Sequence, residues 1–402
     1  MIPDGWELKN LEEIGEFKNG INKSKEDFGF GVPFVNLMDV FGTSAIGKKN
    51  YALVNATQKE TQDFNLVKGD VLFIRSSVKP QGVGLTSVVI EDIENTVYSG
   101  FIIRFRPKIA IDHSFMRYCF YEQGFRRRLL SNSTISENTN INQQALNKLT
   151  LLIPPFLEQC RIAEVLGVWD EAIDLLERLI GKTRSRKQGL MQQLLSGKKR
   201  FKEFEGSELR RYHFKDIFKR ITRKNTVNNS NVLTISGTYG LINQRDFFNK
   251  RVAADNLEGY YLIEKGEFAY NKSYSNGYPL GAIKRLDRYD AGVLSTLYIC
   301  FRLSDSLNSG DFMAHYFESG IFNKEIYGIA QEGARNHGLL NIGVNDFFEL
   351  FLRVPSLPEQ EKIAAVLSAA DEEISTLEKQ LAAYRQQKLG LMQQLLTGRI
   401  RI

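Results

Sequence analysis

The stretch GLMQQLL occupies residues 189–195 and returns unchanged at 390–396. The chain is 402 residues long, so the 201-residue interval is half of it. A missed internal repeat misassigns a whole fold, so this one is followed first. Residues 153–201 (IPPFLEQCRIAEVLGVWDEAIDLLERLIGKTRSRKQGLMQQLLSGKKRF) align without a gap against 354–402 (VPSLPEQEKIAAVLSAADEEISTLEKQLAAYRQQKLGLMQQLLTGRIRI), with 23 identities in 49 positions.

Both copies carry the pattern of a long helix. In the second, Ile363, Leu367, Ala370, Ile374, Leu377, Leu381, Tyr384, Leu391 and Leu395 alternate in steps of four and three, with Lys388 in the one missing place. That is the a/d stripe of a coiled coil. The first copy repeats it at Ile162, Leu166, Trp169, Ile173, Leu176, Ile180, Leu190 and Leu194, with Thr183 and Lys187 at the polar places. Ser356 and Glu359 form a capping-box pattern where the second helix starts; the first has Pro155 in place of that serine. Gly197 and Gly398 stand where a left-handed residue closes a helix. Each helix is expected to span about 40 residues, roughly 60 Å. Its stripe needs a cover, and the simplest is its own copy. We expect an antiparallel pair, because a parallel one would crowd the two intervening segments at one end.

Lys187 and Lys388 lie within the stripe, either ending the tight seam or fixing its register. Gly189 and Gly390 each cost about 1 kcal/mol relative to alanine inside a helix. Their presence in both copies points to close approach by the partner helix or by another subunit. The basic run GKTRSRKQG at 181–189 stays open between a solvated helix face, phosphate contact and subunit docking.

The segments before each helix share a pattern but few letters. Short strand-like runs punctuated by Gly, Asn and Ser appear in both: VPFVNLMDV, DVLFIRSS and FIIRFRP in the first, NVLTISG, EFAYNKSY and LYICFRL in the second. KGDVLFIRSSVKPQGVG (68–84) matches KGEFAYNKSYSNGYPLG (265–281), a strand entering a polar loop. Residues 132–155 match 333–356. The fold class that follows is α+β: two mixed α/β domains joined by two long helices forming an antiparallel coiled coil, an internal pseudo-two-fold duplication. The expected divisions are 1–155, 156–199, 200–356 and 357–402. Helices retained and loops diverged imply one mechanical task performed twice and one kind of recognition aimed at two targets.

Composition sets the setting. Apolar content of 43% and charged content of 25% are those of a soluble globular protein. A net charge of +6 leans toward polyanionic partners. Cys119, Cys160 and Cys300 are far apart, and no signal peptide or apolar run of membrane-spanning length is visible, so a cytoplasmic location is expected.

The helix entries IPPFLEQCRIAEVL and VPSLPEQEKIAAVL, the exits GLMQQLLSGKKRF and GLMQQLLTGRIRI, and the order domain–helix–domain–helix resemble the DNA-specificity subunit of type I restriction–modification enzymes over essentially the whole chain. The resemblance implies a noncatalytic subunit whose two target-recognition domains read the halves of a split, asymmetric site in double-stranded DNA. It further implies helices that set the spacer, two modification (methyltransferase) subunits packed on them, and restriction–translocation subunits beyond. The rival reading of the residues is a coiled-coil protein-interaction scaffold with two ligand-binding domains and no DNA binding.

No cofactor or metal is expected. GTSAIGKK at 42–49 nearly matches a phosphate loop, but Lys49 stands where a magnesium-binding hydroxyl is needed and no long helix pattern follows. His113, His213, His315 and His337 show no metal-ligand spacing, and IPPF lacks the Asn or Asp of an adenine methyltransferase motif. Base edges are read by Arg, Lys, Asn and Gln, and phosphates by Lys, Arg, Ser and backbone amides. The matched polar loops therefore supply the DNA-binding candidates. In the first domain these are Arg75, Ser76, Ser77, Lys79 and Gln81, with Asn138, Asn140 and Asn142. In the second they are Lys272, Ser273, Tyr274, Ser275 and Asn276, with Arg335, Asn336 and His337. The helix and subunit packing set is Ile162, Leu166, Trp169, Ile173, Leu176, Gly189, Leu194, Ile363, Leu367, Ile374, Leu377, Leu381, Gly390 and Leu395.

Overall fold

A computed structural model describes residues 2–237, 239–248, 256–275, 277–332 and 340–402. The two repeated segments are helices over Phe156–Leu194 and Leu357–Leu396. Gly197 and Gly398 follow them in the left-handed region, at φ +72° and +66°, and each donates its amide to Leu194 or Leu395, 3.1 Å away. The start differs from the capping-box expectation. Buried Glu359 gives its carboxylate to Arg200.

The chain forms two compact units, one of residues Met1–Glu177 and Lys379–Ile402, the other of Arg178–Glu378. Unit 1 is built on a five-stranded sheet ordered Gly15–Asn19, Ile102–Pro107, Val71–Ile74, Thr86–Val89 and Ala45–Ile46. Unit 2 repeats the first four places as Phe218–Ile221, Ile299–Leu303, Phe268–Asn271 and Ala282–Arg285. Each unit adds an antiparallel pair, Glu7–Asn10 with Thr150–Ile153 and Arg210–His213 with Phe351–Val354. One expected strand run is cut short: VPFVNLMDV ends its strand at Val35, and Leu37–Val40 turns into a helix capped by Asn36.

Strand Val71–Ile74 is buried at every residue, and its side chains alternate between two cores. Val71 and Phe73 face the core that holds Phe115 and Met116 of helix His113–Cys119, whereas Leu72 and Ile74 face a second core with Tyr98 and Ile102. The first core also takes in Ile162, Ala163 and Leu166 from the first long helix and Met392, Leu395 and Leu396 from the second. Unit 2 does the same with exchanged roles. Ile363, Ala364 and Leu367 join Met191, Leu194 and Leu195 against Phe268, Phe312 and Met313. The ends of the apolar stripe are thus covered by the mixed domains, whose large cores offer more apolar surface than a second helix can. Further along, Leu176 and Ile180 are buried, while Trp169, Ile173, Ile374, Leu377 and Leu381 are half-buried. Trp169 meets Tyr384 edge-on, 5.5 Å between ring centres.

Direction is fixed by ion pairs within each unit. In unit 1 Lys388 pairs with Asp170, and Arg385 with Glu177 at 2.5 Å, so advancing on one helix means retreating on the other. In unit 2 Lys187 pairs with Asp371 at 2.5 Å, and Arg184 pairs with Glu378. The helix segments are antiparallel in both units. Each pair is the other displaced by the repeat interval, with the helices exchanged. The stripe lysines therefore reach a carboxylate on the facing helix. Gly189 and Gly390 show no close approach among the described residues, since nothing lies within 4 Å of a Cβ built on either.

Candidate nucleic-acid interface

In unit 1 the chain leaves strand Val71–Ile74, runs through Arg75, pairs again at Ser76–Ser77, and turns back into Thr86–Val89. Ser76–Ser77 form the edge of a small three-stranded sheet with Thr139–Asn140 and Thr134–Ile135. Thr139 lies opposite Ser77, and Asn140 opposite Ser76. The two candidate groups of this domain, distant in sequence, are thereby neighbours. Individual members differ in use. Arg75 donates to the Gly100 carbonyl at 3.2 Å, and its own carbonyl accepts from the Ile141 amide at 3.0 Å. Asn142 caps helix Gln143–Asn147 by accepting from the Ala145 amide at 2.8 Å. Asn140 donates to the Asn138 carbonyl at 2.9 Å. Lys79 and Gln81 are exposed, and the Gln81 carbonyl is held from below.

That hold comes from Arg126, which sequence reasoning missed. Its guanidinium donates to the carbonyls of Gln81 at 3.0 Å and Val83 at 2.8 Å. Burial lowers its pKa. Gly84 ends the loop at φ +64°, where a Cβ would sit 2.4 Å from Leu129. Gly281, its counterpart, has φ +78° and would place a Cβ 2.2 Å from the Asn271 carbonyl oxygen.

Unit 2 repeats the frame. The Lys272 carbonyl accepts from the Leu340 amide at 3.0 Å, as Arg75 accepts from Ile141. Lys272 and Ser273 are half-buried, and Tyr274 and Ser275 are exposed. Asn276, Arg335, Asn336 and His337 lie outside the described residues. The loop is held differently here. Lys284 donates to the Tyr278 hydroxyl at 2.8 Å and to the Gly237 carbonyl at 3.0 Å, and it pairs with Glu318. Tyr278 donates to Glu318 at 2.5 Å; burial, followed by that carboxylate, pushes the Tyr278 pKa up. No sequence signal marked this network.

A second set of missed residues stands at the helix feet. Glu158 accepts from Arg401 (2.6 and 2.8 Å) and from the Trp6 indole at 2.9 Å. Glu359 and Arg200 repeat the pair. Gln159 donates to Pro154 and accepts from the Asp112 amide, both at 2.9 Å, and Gln360 does so with Pro355 and Ser309. All four glutamate and glutamine positions are identities between the repeats, which was the available signal. Among the described residues no His/Cys/Asp/Glu group could hold a metal ion. Lys49 of the phosphate-loop-like stretch pairs with Asp39 at 2.6 Å.

Residues 3–182 match the family model for the type I restriction modification DNA specificity domain. Over those residues, less than half of its length, the chain is similar to that specificity domain. It is 24% identical over 213 residues to a putative type I restriction enzyme specificity subunit of Methanocaldococcus jannaschii, a match covering 52% of this chain and 50% of that protein. The match thus spans about half the length of that relative. The fold is that of solved specificity subunits. That of M. genitalium is 16% identical with a TM-score of 0.53, covering 98% of this chain and 96% of the other. The HsdS subunit of Thermoanaerobacter tengcongensis is 14% identical at 0.51, covering 99% and 98%. A chain from work on complex assembly and conformational transition of the type I R-M system is 13% identical at 0.59, with both chains covered in full. No described helix of the chain is long and apolar enough to cross a membrane.

Proposed function

We propose that the chain is the noncatalytic DNA-recognition subunit of a type I restriction–modification enzyme in the cytoplasm. Each unit reads one half of a split, asymmetric site in double-stranded DNA. The carrying observation is one loop frame built twice, with Arg75 and Lys272 at matched places each accepting a cross-loop amide bond, from Ile141 and from Leu340 two places off the matched register, while the residues on the frame differ. Arg75, Ser76, Ser77, Lys79, Gln81, Asn138, Asn140 and Asn142 serve one half-site in this reading, and Lys272 to Asn276 with Arg335 to His337 the other. The functional divisions remain 1–155, 156–199, 200–356 and 357–402. The long helices set the spacer and dock two modification subunits, with restriction–translocation subunits joining them. Open space beside Gly189 and Gly390 supports docking, because a helix surface without Cβ atoms admits another backbone closely. Methylation and cleavage then reside in the partners.

The test is methylation mapping of genomic DNA from a host carrying this gene and its neighbouring methyltransferase gene, repeated after deletion of this gene. One split asymmetric motif is expected to vanish. Unchanged methylation would overturn the proposal.

A further inference from the structure

The hairpin of strands Thr134–Ile135 and Thr139–Asn140 presents residues 134–138 to solvent. Its turn is braced from within, since the Ser136 amide donates to the Asn138 carbonyl at 3.1 Å and the Ser136 hydroxyl donates there at 3.2 Å. On this polar ribbon Ile135 is 78% exposed. Ile135 lies opposite Thr139, and Thr139 opposite Ser77, whose neighbour Val78 is 81% exposed. Single exposed apolar residues are ordinary. Two at one small sheet, Ile135 on an outer strand and Val78 just past the end of the opposite one, with Ser76, Lys79 and Asn140 nearby, are not what a loop facing only water or phosphate would carry.

We infer that this hairpin enters the DNA major groove and that Ile135 takes up a thymine 5-methyl group. The inference rests on the DNA reading proposed above. Two strands about 5 Å apart fit a groove about 12 Å wide. The thymine methyl is the apolar group that base edges offer there. Glu137 at the tip points the same way: phosphates repel its carboxylate, whereas the cytosine amino group donates to it. Lys79, one residue beyond Val78, is placed for the backbone phosphate. Ile135 is thus a specificity determinant of the first half-site, acting by shape where its neighbours act by hydrogen bonds.

The test uses duplexes carrying the site defined by methylation mapping, with each thymine replaced singly by deoxyuridine, titrated against the full chain with its methyltransferase partner. Wild type is expected to lose about fourfold in affinity at one position of one half-site, the factor for one buried methyl group. Ile135→Ala, a change at an exposed residue, is expected to bind the thymine and uracil duplexes equally at that position. Equal binding of all uracil duplexes by wild type, or discrimination surviving in Ile135→Ala, would overturn the inference. A cognate site without thymine would do the same. A scrambled duplex bound as tightly as the cognate one would instead overturn the DNA reading itself.

Discussion

His315 stands in unit 2 where Tyr118 stands in unit 1, and both face an aspartate of a long helix. The Tyr118 hydroxyl donates to Asp170 at 2.7 Å. His315 lies 3.1 Å from the Ser368 hydroxyl and 3.9 Å from Asp371. Burial, followed by the charge of Lys187, lowers the His315 pKa from 6.5; Asp371 and Asp311 oppose the shift, and Arg285 adds to it. A histidine with a depressed folded pKa stays neutral in the native state while the unfolded chain takes up the proton. Its stability contribution is therefore complete above about pH 6.5 and declines as pH falls toward the folded pKa. We expect the melting temperature of wild type to drop more than that of His315→Gln between about pH 7.5 and 5.5. Equal drops would contradict this. At this scale the sequence showed too little in one place and enough in another. Arg126 carried no signal, because its role depends on carbonyls of residues 81 and 83 brought near by the fold. Glu158 and Arg401 are 243 residues apart, but their identity with Glu359 and Arg200 in the aligned repeats marked them.

The long helices were legible as elements because a stripe in steps of four and three needs no tertiary context. What the stripe meets was not legible. Ile162 and Leu166 look like coiled-coil seam residues yet pack with Phe115 and Met116 of a mixed domain. The strands were harder still. Ser76–Ser77 and Thr139–Asn140 are two residues each, too short for any periodicity, so the adjacency of the candidate loops emerged only from their pairing. Register of the helix segments depends on polar stripe residues as well as on apolar ones. The Lys187 side chain is 16% exposed and Asp371 48%, so their pair is only partly screened by water. Lys187→Asp is expected to destabilise by about 1 kcal/mol by setting two carboxylates together. Adding Asp371→Lys is expected to recover most of the loss in urea denaturation. A double variant as weak as the sum of the two single changes would show that the pair contributes nothing to register.

At the scale of the whole molecule, the 201-residue interval is written into chemistry as well as spelling. Asp170–Lys388 becomes Asp371–Lys187, and Glu158–Arg401 becomes Glu359–Arg200. Frame and helices are held constant, and the loops vary on the frame: Ser76–Ser77 with Ile135 in one unit, Tyr274 with the Lys284–Tyr278–Glu318 network in the other. A duplicated frame with unlike loops is suited to two unlike half-sites read independently, which is the central claim. The measurement that addresses it most directly is replacement of residues 200–353 by the corresponding segment of a type I specificity subunit, followed by methylation mapping. The account predicts a hybrid motif, with one half replaced and the other half unchanged. A motif changed in both halves, or in neither, would contradict it.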